Sequence, residues 1–165
     1  MAVTYQVLQF LGDTLNESLK NQFALSENKV VVNKMAEADG GISPSNQNKV
    51  VLTFMSIEEE STLRQLPIRD ASEGVKNKGN YSIYLLLSSN FDDYPEALKL
   101  FDAAIDFFKA RPVFDKRSYP NFPPELDNIS VELCPISLDQ IINIWASSDL
   151  RYQPTVLFKA RVMPS

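Results

Sequence analysis

The sequence predicts an α/β protein of the mixed α+β kind, with a single mixed β-sheet of about five strands packed with three helices. Residues 3–25 and 92–111 repeat apolar side chains with a helical period. Residues 49–58 and 81–88 are short and almost continuously apolar, as in strands buried on both faces. Residues 155–163 alternate apolar and polar side chains, which favours a strand with one solvated face. The predicted order is α-β-β-β-α-β-α-β.

The opening helix of residues 3–25 has one apolar stripe. Its members are Val3, Val7, Leu8, Leu11, Leu15 and Leu19. Val30-Val31-Val32 then predicts a short strand, and the glycines and Pro44 that follow end it.

Two central strands are predicted next, at Lys49–Glu58 and Tyr81–Ser88, because both alternating sets of side chains are largely apolar. Residues 59–79 between them show no sustained periodicity and exceed a usual connection, which indicates a functional or mobile loop. The turn at Ser88–Asp93 has neither a glycine-rich phosphate loop nor a nucleophile motif. This turn therefore argues against catalysis.

The second helix begins near Asp92 or Asp93, has Pro95 in its first turn and ends before Pro112. We expect Leu98, Phe101, Ile105 and Phe108 to face inward.

Phe114, Tyr119 and Phe122 lie in a proline-rich segment that either packs on its own domain or contacts a neighbour as interface aromatics do. The alternation of residues 129–133 predicts a further strand. Ser137 is expected to cap a short helix with Trp145 on its apolar face. The strand Thr155–Met163 follows.

Composition limits the possible functions. A chain of 165 residues with 44% hydrophobic residues predicts one domain, residues 1–165. The net charge of −5 argues against nucleic-acid and anionic-membrane partners. The amino terminus lacks the pattern of a secretory signal, and no run has the ~20 apolar residues of a membrane span. We therefore expect a cytoplasmic protein.

The chain has no histidine and a single cysteine, Cys134. These counts exclude intrachain disulfides, zinc sites of the Cys/His type, and Ser-His or Cys-His dyads. Cys134 precedes a proline and is interpreted as a small buried side chain. No catalytic, cofactor-binding or metal-binding residue is predicted, and the chain is not expected to be an enzyme.

The densest acidic run is Glu58-Glu59-Glu60, with Asp70 and Glu73 downstream. On a strand Glu58 and Glu60 share a face and repel each other unless a cation is near. A solvated strand end is the first interpretation, docking to a basic partner the second, and a hard-cation site the least favoured. On the second helix, a pair of aspartates is flanked by lysines at helical spacing, which indicates a solvated charged face.

Three stretches, residues 50–65, 81–115 and 131–163, resemble the tail-terminator or cap family of contractile injection systems, which are phage-tail-like particles. Three sequence motifs carry the resemblance. The first is an apolar strand that ends in Ile-Glu-Glu-Glu, and the second is Asn-Phe-Asp-Asp-Tyr, which is followed after Pro95 by Glu-Ala-Leu. The third is Trp145, followed by Tyr-Gln-Pro-Thr. With the opening helix the resemblance covers nearly the whole chain. The family was long catalogued as a domain of unknown function. Longer members continue further, and roles of that additional region are not carried over.

The resemblance implies a structural protein that forms a ring, expected to be hexameric, and ends polymerisation of sheath and inner tube at the end distal to the baseplate. Its expected partners are itself, the sheath and the inner tube, without nucleic acid or membrane insertion. It would be cytoplasmic during assembly and then part of the particle. No catalytic residues or cofactors are implied. The alternatives are a transient assembly chaperone or adaptor and, less favoured, a small-ligand-binding or enzymatic domain.

Candidate interface residues come from the acidic run, the proline-aromatic segment and the last strand. They are Glu58, Glu59, Glu60, Arg64, Phe114, Tyr119, Phe122, Thr155, Leu157, Lys159 and Arg161. We expect the strand Thr155–Met163 to be an edge that accepts a sheath strand by β-strand addition.

Overall fold

A computed structural model of the protein describes residues 3–37, 40–41, 43–60, 79–148 and 150–165. Its elements, in chain order, are α1 (Val3–Phe23), β1 (Val30–Val32), a 3₁₀ turn (Pro44–Asn46), β2 (Lys49–Glu59), β3 (Tyr81–Asn90), α2 (Tyr94–Ala110), β4 (Val113–Asp115), β5 (Leu126–Leu133), α3 (Leu138–Ser148) and β6 (Thr155–Pro164). The predicted mixed α+β class is confirmed, and the described residues form one six-stranded sheet. The strand that sequence analysis missed is β4, which is too short to show alternation.

The strand order is β1-β2-β3-β6-β5-β4. The pair β1–β2 is parallel, and all other neighbouring pairs are antiparallel. The interior position predicted for β3 is confirmed, and that of β2 holds for Val50–Leu52, where β1 pairs with it. The prediction that the last strand is an edge is wrong, because β6 pairs with β3 on one side and β5 on the other. Alternation reports a solvated face of a strand and carries no information about its hydrogen-bonding edges.

Helices α1 and α2 cover one face of the sheet. The apolar stripe predicted for α1 is buried from Val7 to Leu19. Phe10, which sequence analysis did not single out, packs edge-to-face on Phe114, Tyr119 and Phe122 at centroid distances of 5.8, 5.7 and 5.2 Å. Phe114 and Phe122 are themselves buried, so the proline-aromatic segment packs on its own chain.

The inward face of α2 was predicted only in part. Phe108 is buried, but Leu98 is exposed, and Phe101 and Ile105 are partly buried at the margin of the core. The buried residues of this helix are Ala97, Leu100, Ala103, Ala104, Phe107 and Phe108. Because α2 carries large apolar residues around much of its circumference, periodicity alone does not show which side contacts the sheet. The alanines leave room for the helix to lie close to β3.

Strand β2 was expected to be covered on both faces along its whole length. This holds for Val50–Leu52, which are buried, and fails beyond them: Phe54, Met55 and Ile57 are 42, 37 and 49% exposed. Strand β1 pairs only with Val50–Leu52. A register shift between Phe54 and Ser56 also breaks the ladder with β3. The second half of β2 therefore extends beyond the layers that cover the first half.

Helix α3 begins with a reciprocal capping box, as Ser137 predicted. The backbone N–H of Gln140 donates to Ser137 Oγ (3.2 Å), and the N–H of Ser137 donates to Gln140 Oε1 (3.1 Å). Trp145 is buried, and its Nε1 donates a 2.9 Å hydrogen bond to Thr155 Oγ1 on β6. Leu138 and Ile142 are exposed, so the predicted apolar face of α3 is only partly covered.

Candidate functional site

Charged side chains of Glu58, Glu60, Lys159 and Arg161 converge with Tyr84 of β3 on the sheet face opposite α1 and α2. Because successive strand residues point to opposite faces, the burial of Ile83, Leu85, Phe158 and Ala160 beneath the helices turns their neighbours outward. The register places Tyr84 opposite Lys159, and Ser82 between Glu58 and Arg161. We call the residues Glu58, Glu60, Tyr84, Lys159 and Arg161 the polar sheet face.

Each strand of the polar sheet face contributes to its contacts. Arg161 Nε lies 2.6 Å from Glu60 Oε1. The Tyr84 hydroxyl donates a 2.6 Å hydrogen bond to Glu58 Oε1. Lys159 Nζ lies 5.9 Å from the centroid of the Tyr84 ring, within range of a cation–π contact. Separate partners thus offset the repulsion expected between Glu58 and Glu60.

The electrostatics of this face favour binding over proton transfer. The hydrogen bond to Glu58 is the main cause that raises the pKa of Tyr84 to about 12, with a further contribution from burial. Tyr84 is therefore protonated at neutral pH and donates to the carboxylate rather than acting as a base. The face presents a fixed pattern of opposite charges, which suits recognition of a charged protein surface.

Glu59 differs from the two glutamates beside it. It is exposed, and no ion pair or hydrogen bond to another described residue involves its carboxylate. Arg64, Asp70 and Glu73, which sequence analysis grouped with this run, lie outside the described residues. Among the described residues, Glu59 is therefore the acidic side chain of the run without a partner.

The other candidate residues are not all accessible. Phe114 and Phe122 are fully buried, which corrects their candidacy as interface residues because the core of the same chain encloses them. Tyr119 is partly buried, and its hydroxyl accepts a 3.3 Å hydrogen bond from Arg111 Nη1.

Two candidates on β6 lie nearer α3 than the charged residues do. Thr155 is buried against Trp145, and its own hydroxyl donates to the Gln153 carbonyl at 2.7 Å. Leu157 is partly buried and lies opposite Leu86 on β3. The structure therefore brings together Glu58, Glu60, Lys159 and Arg161 and leaves the other candidates that it describes outside this patch.

Sequence analysis missed a free strand edge. Beyond Leu52, whose carbonyl accepts a 3.1 Å hydrogen bond from the Asn33 N–H, no other described strand pairs with the outer side of β2. We call the outer side of residues Phe54–Glu59 the β2 edge. Its apolar residues were assigned to the core from their pattern. The only sequence signal of exposure was the three glutamates that follow them.

Within the part of the chain that the structure describes, no group of three or more Asp, Glu, Cys or His side chains is arranged to hold a metal ion. Across the same residues, none of the helices combines the length and the hydropathy needed to cross a bilayer. Cys134 is a free thiol, partly exposed at the end of β5.

Comparison with known proteins finds a matching family model and a solved structure with a similar fold. The family model of the Pvc16 N-terminal domain matches residues 6–164. The PVC sheath/tube terminator of an extracellular contractile injection system, solved by cryo-electron microscopy in its extended state, is similar with a TM-score of 0.55 and 14% sequence identity. The match covers 95% of this chain and 54% of that chain, so this chain spans about half the length of the matched terminator. At this identity the likeness shows a shared fold. No curated protein matches.

Proposed function

Because the chain belongs to the Pvc16 N-terminal domain family, we propose that it is a sheath and tube terminator of a contractile injection system. In this role a hexameric ring of the chain sits at the end of the tail distal to the baseplate and stops the polymerisation of sheath and inner tube. The family resemblance drawn from the sequence is confirmed by the match over residues 6–164. The ring, its stoichiometry and its position in the particle are part of the proposal.

The observation that carries this proposal is the agreement between family and fold over almost the same residues. The family match covers residues 6–164, and the fold shared with the PVC sheath/tube terminator covers 95% of the chain. Six strands and three helices in one order are a demanding arrangement to match by chance. The terminator is thus the best supported function for this domain.

The exposed surfaces are compatible with such a role. A terminator must bind the last ring of a polymer without presenting a copy of the surface on which the next ring would grow. We assign the contact with the last ring to the polar sheet face, whose paired charges would set the orientation of the docked ring. Strand addition at β6 is excluded from the proposal because both edges of β6 are paired.

No catalytic step or cofactor is part of this function. The chain would be assembled into the particle in the cytoplasm and leave with it if the particle is released. Sheath, inner tube and further copies of the chain are its proposed partners.

Labelling of the chain in purified particles tests this function. An epitope tag on the chain, detected with gold-coupled antibody in electron micrographs, should mark the end of the particle away from the baseplate. Label along the whole sheath would contradict a terminator. Absence of the chain from mature particles would instead favour a transient chaperone.

A further inference from the structure

Two exposed margins of opposite charge lie on opposite sides of the sheet. One is the β2 edge with Glu59. The other is a group of cations flanking β4, namely Arg111, Lys116 and Arg117, which we call the basic turn. We propose that the β2 edge of one copy docks on the basic turn of the next copy, and that this contact links neighbouring copies in the ring. The inference rests on the proposed function, whose ring it makes specific.

The acidic margin combines apolar surface with an unpaired charge. Phe54, Met55 and Ile57, in the second half of β2, expose between 37 and 49% of their surface. Glu59 follows them without a partner among the described residues. The backbone of this half of β2 also lacks a neighbouring described strand on its outer side. Such an edge favours association with another chain unless it is covered.

The basic margin lies at the last strand of the sheet. Val113 of β4 is 52% exposed. Arg111 Nη1 donates to Tyr119 Oη, and Lys116 Nζ donates to the Pro124 carbonyl at 3.0 Å, so both cations are held in place by neutral acceptors. None of the three cations forms an ion pair with a described carboxylate. The nearest acid in sequence, Asp115, accepts a 2.9 Å hydrogen bond from the Ser118 N–H within the turn.

The two margins cannot meet within one chain. Strands β2 and β4 are separated by β3, β6 and β5, which at ~4.8 Å per strand spacing is a distance of ~19 Å across the sheet. A contact between different patches on two copies is heterologous, and repeated head-to-tail contacts close into a ring when the rotation per copy allows it. Two different margins of one sheet therefore provide the polarity that a ring requires.

Apolar burial and charge have separate roles in this contact. Burying Phe54, Ile57 and Val113 between copies would remove exposed apolar area from water, which is the main driving term of association. An exposed ion pair adds little affinity by itself but selects the partner surface and the register. Complementary charges here distinguish the head-to-tail contact from an isologous one, which would place like charges together.

Charge reversal and rescue test the contact. The assembled mass of the purified chain is measured as a function of concentration by analytical ultracentrifugation. Glu59→Lys and Arg117→Glu should each raise the concentration needed for assembly by about tenfold or more, because like charges then face each other. The combined variant should recover most of the loss. Asp102→Lys on α2 and Arg151→Glu are matched exposed controls and should assemble like the natural chain.

The outcomes separate this inference from the function on which it rests. The contact is wrong if the natural chain forms a ring and both single variants assemble as well as the natural chain does. It is also wrong if the combined variant assembles no better than the single variants, and in either case the ring forms through other surfaces. If the natural chain stays monomeric at all concentrations, even with assembled sheath present, the proposed ring and this contact both fail.

Discussion

The Tyr84 hydroxyl on β3 donates a 2.6 Å hydrogen bond to Oε1 of Glu58 on β2. The pair lies at the centre of the polar sheet face, and the bond is the main cause that raises the pKa of Tyr84 to about 12 from 10.0. A neutral acceptor would hold the phenol proton less strongly. The pKa of Tyr84 therefore reports directly whether the Glu58 carboxylate lies beside the Tyr84 hydroxyl.

Glu58→Gln should lower the pKa of Tyr84 from about 12 toward its ordinary value of 10.0. The pKa is raised in the folded chain, so the stability from this bond is fully present below pH 10 and is lost as the pH rises through about 12. The measurement is a titration of tyrosinate absorbance, with Tyr84→Phe identifying the signal of this residue. An unchanged titration in Glu58→Gln would show that the hydrogen bond does not form in solution.

Phe108→Ala should lower the free energy of unfolding by ~3–5 kcal/mol, because this buried ring contacts Phe107, Phe114 and Phe158. Phe101→Ala on the same helix should cost about 1–2 kcal/mol, because Phe101 is only partly buried. Chemical denaturation of the two variants gives the comparison. Equal losses would mean that α2 is rotated about its axis relative to the structure.

Gly12→Ala tests the close approach of α1 to β1. A Cβ at this position would lie 3.0 Å from Val32 Cγ2 and 3.7 Å from Leu52 Cδ1. The helix propensity of alanine contributes about 1 kcal/mol in favour of the variant, and overpacking costs about 1–3 kcal/mol. We expect a net loss of up to ~2 kcal/mol of unfolding free energy.

Val32→Ala supplies the matched background for this test. It removes the methyl group that the new Cβ would meet, so adding Gly12→Ala to it should be neutral or stabilising. A loss of the same size in both backgrounds would place the strain elsewhere than at Val32.

Ser137→Ala should weaken the first turn of α3 by about 1 kcal/mol, because the Gln140 N–H loses its capping oxygen. Amide hydrogen exchange should be faster at Gln140, while the core strand β3 keeps its protection. Ser137→Asp retains a capping acceptor and should exchange like the natural chain. Equally fast exchange in Ser137→Asp would indicate that the cap does not set the stability of this turn.

Elements with a strong and complete pattern were predictable from sequence. The stripe of α1 and the apolar run of β3 each have one buried arrangement available to them. The buried face of α2 was not predictable from sequence, because Phe101 and Phe108 lie on a helix that is apolar around much of its surface. The edge assigned to β6 was wrong because strand pairing depends on distant segments, and alternation records only which side chains are solvated.

The candidate surface was predictable as separate residues but not as a patch. Glu58, Lys159 and Arg161 were singled out on two strands, and only the register through β3 shows that they are neighbours. Tyr84 was interpreted as part of a buried apolar strand, and no pattern in its own segment indicates its bond to Glu58. The exposed residues of the β2 edge have the composition of a core strand, so the sequence pattern does not indicate their exposure.

Particle length measures termination directly. Sheath and tube assemblies from cells that lack the chain are compared in electron micrographs with those from cells that contain it. If the chain terminates polymerisation, its loss should give open-ended tubes and sheaths of widely varying length, and its return should restore one narrow length distribution with closed ends. An equally narrow distribution of closed particles in the absence of the chain would contradict a terminator.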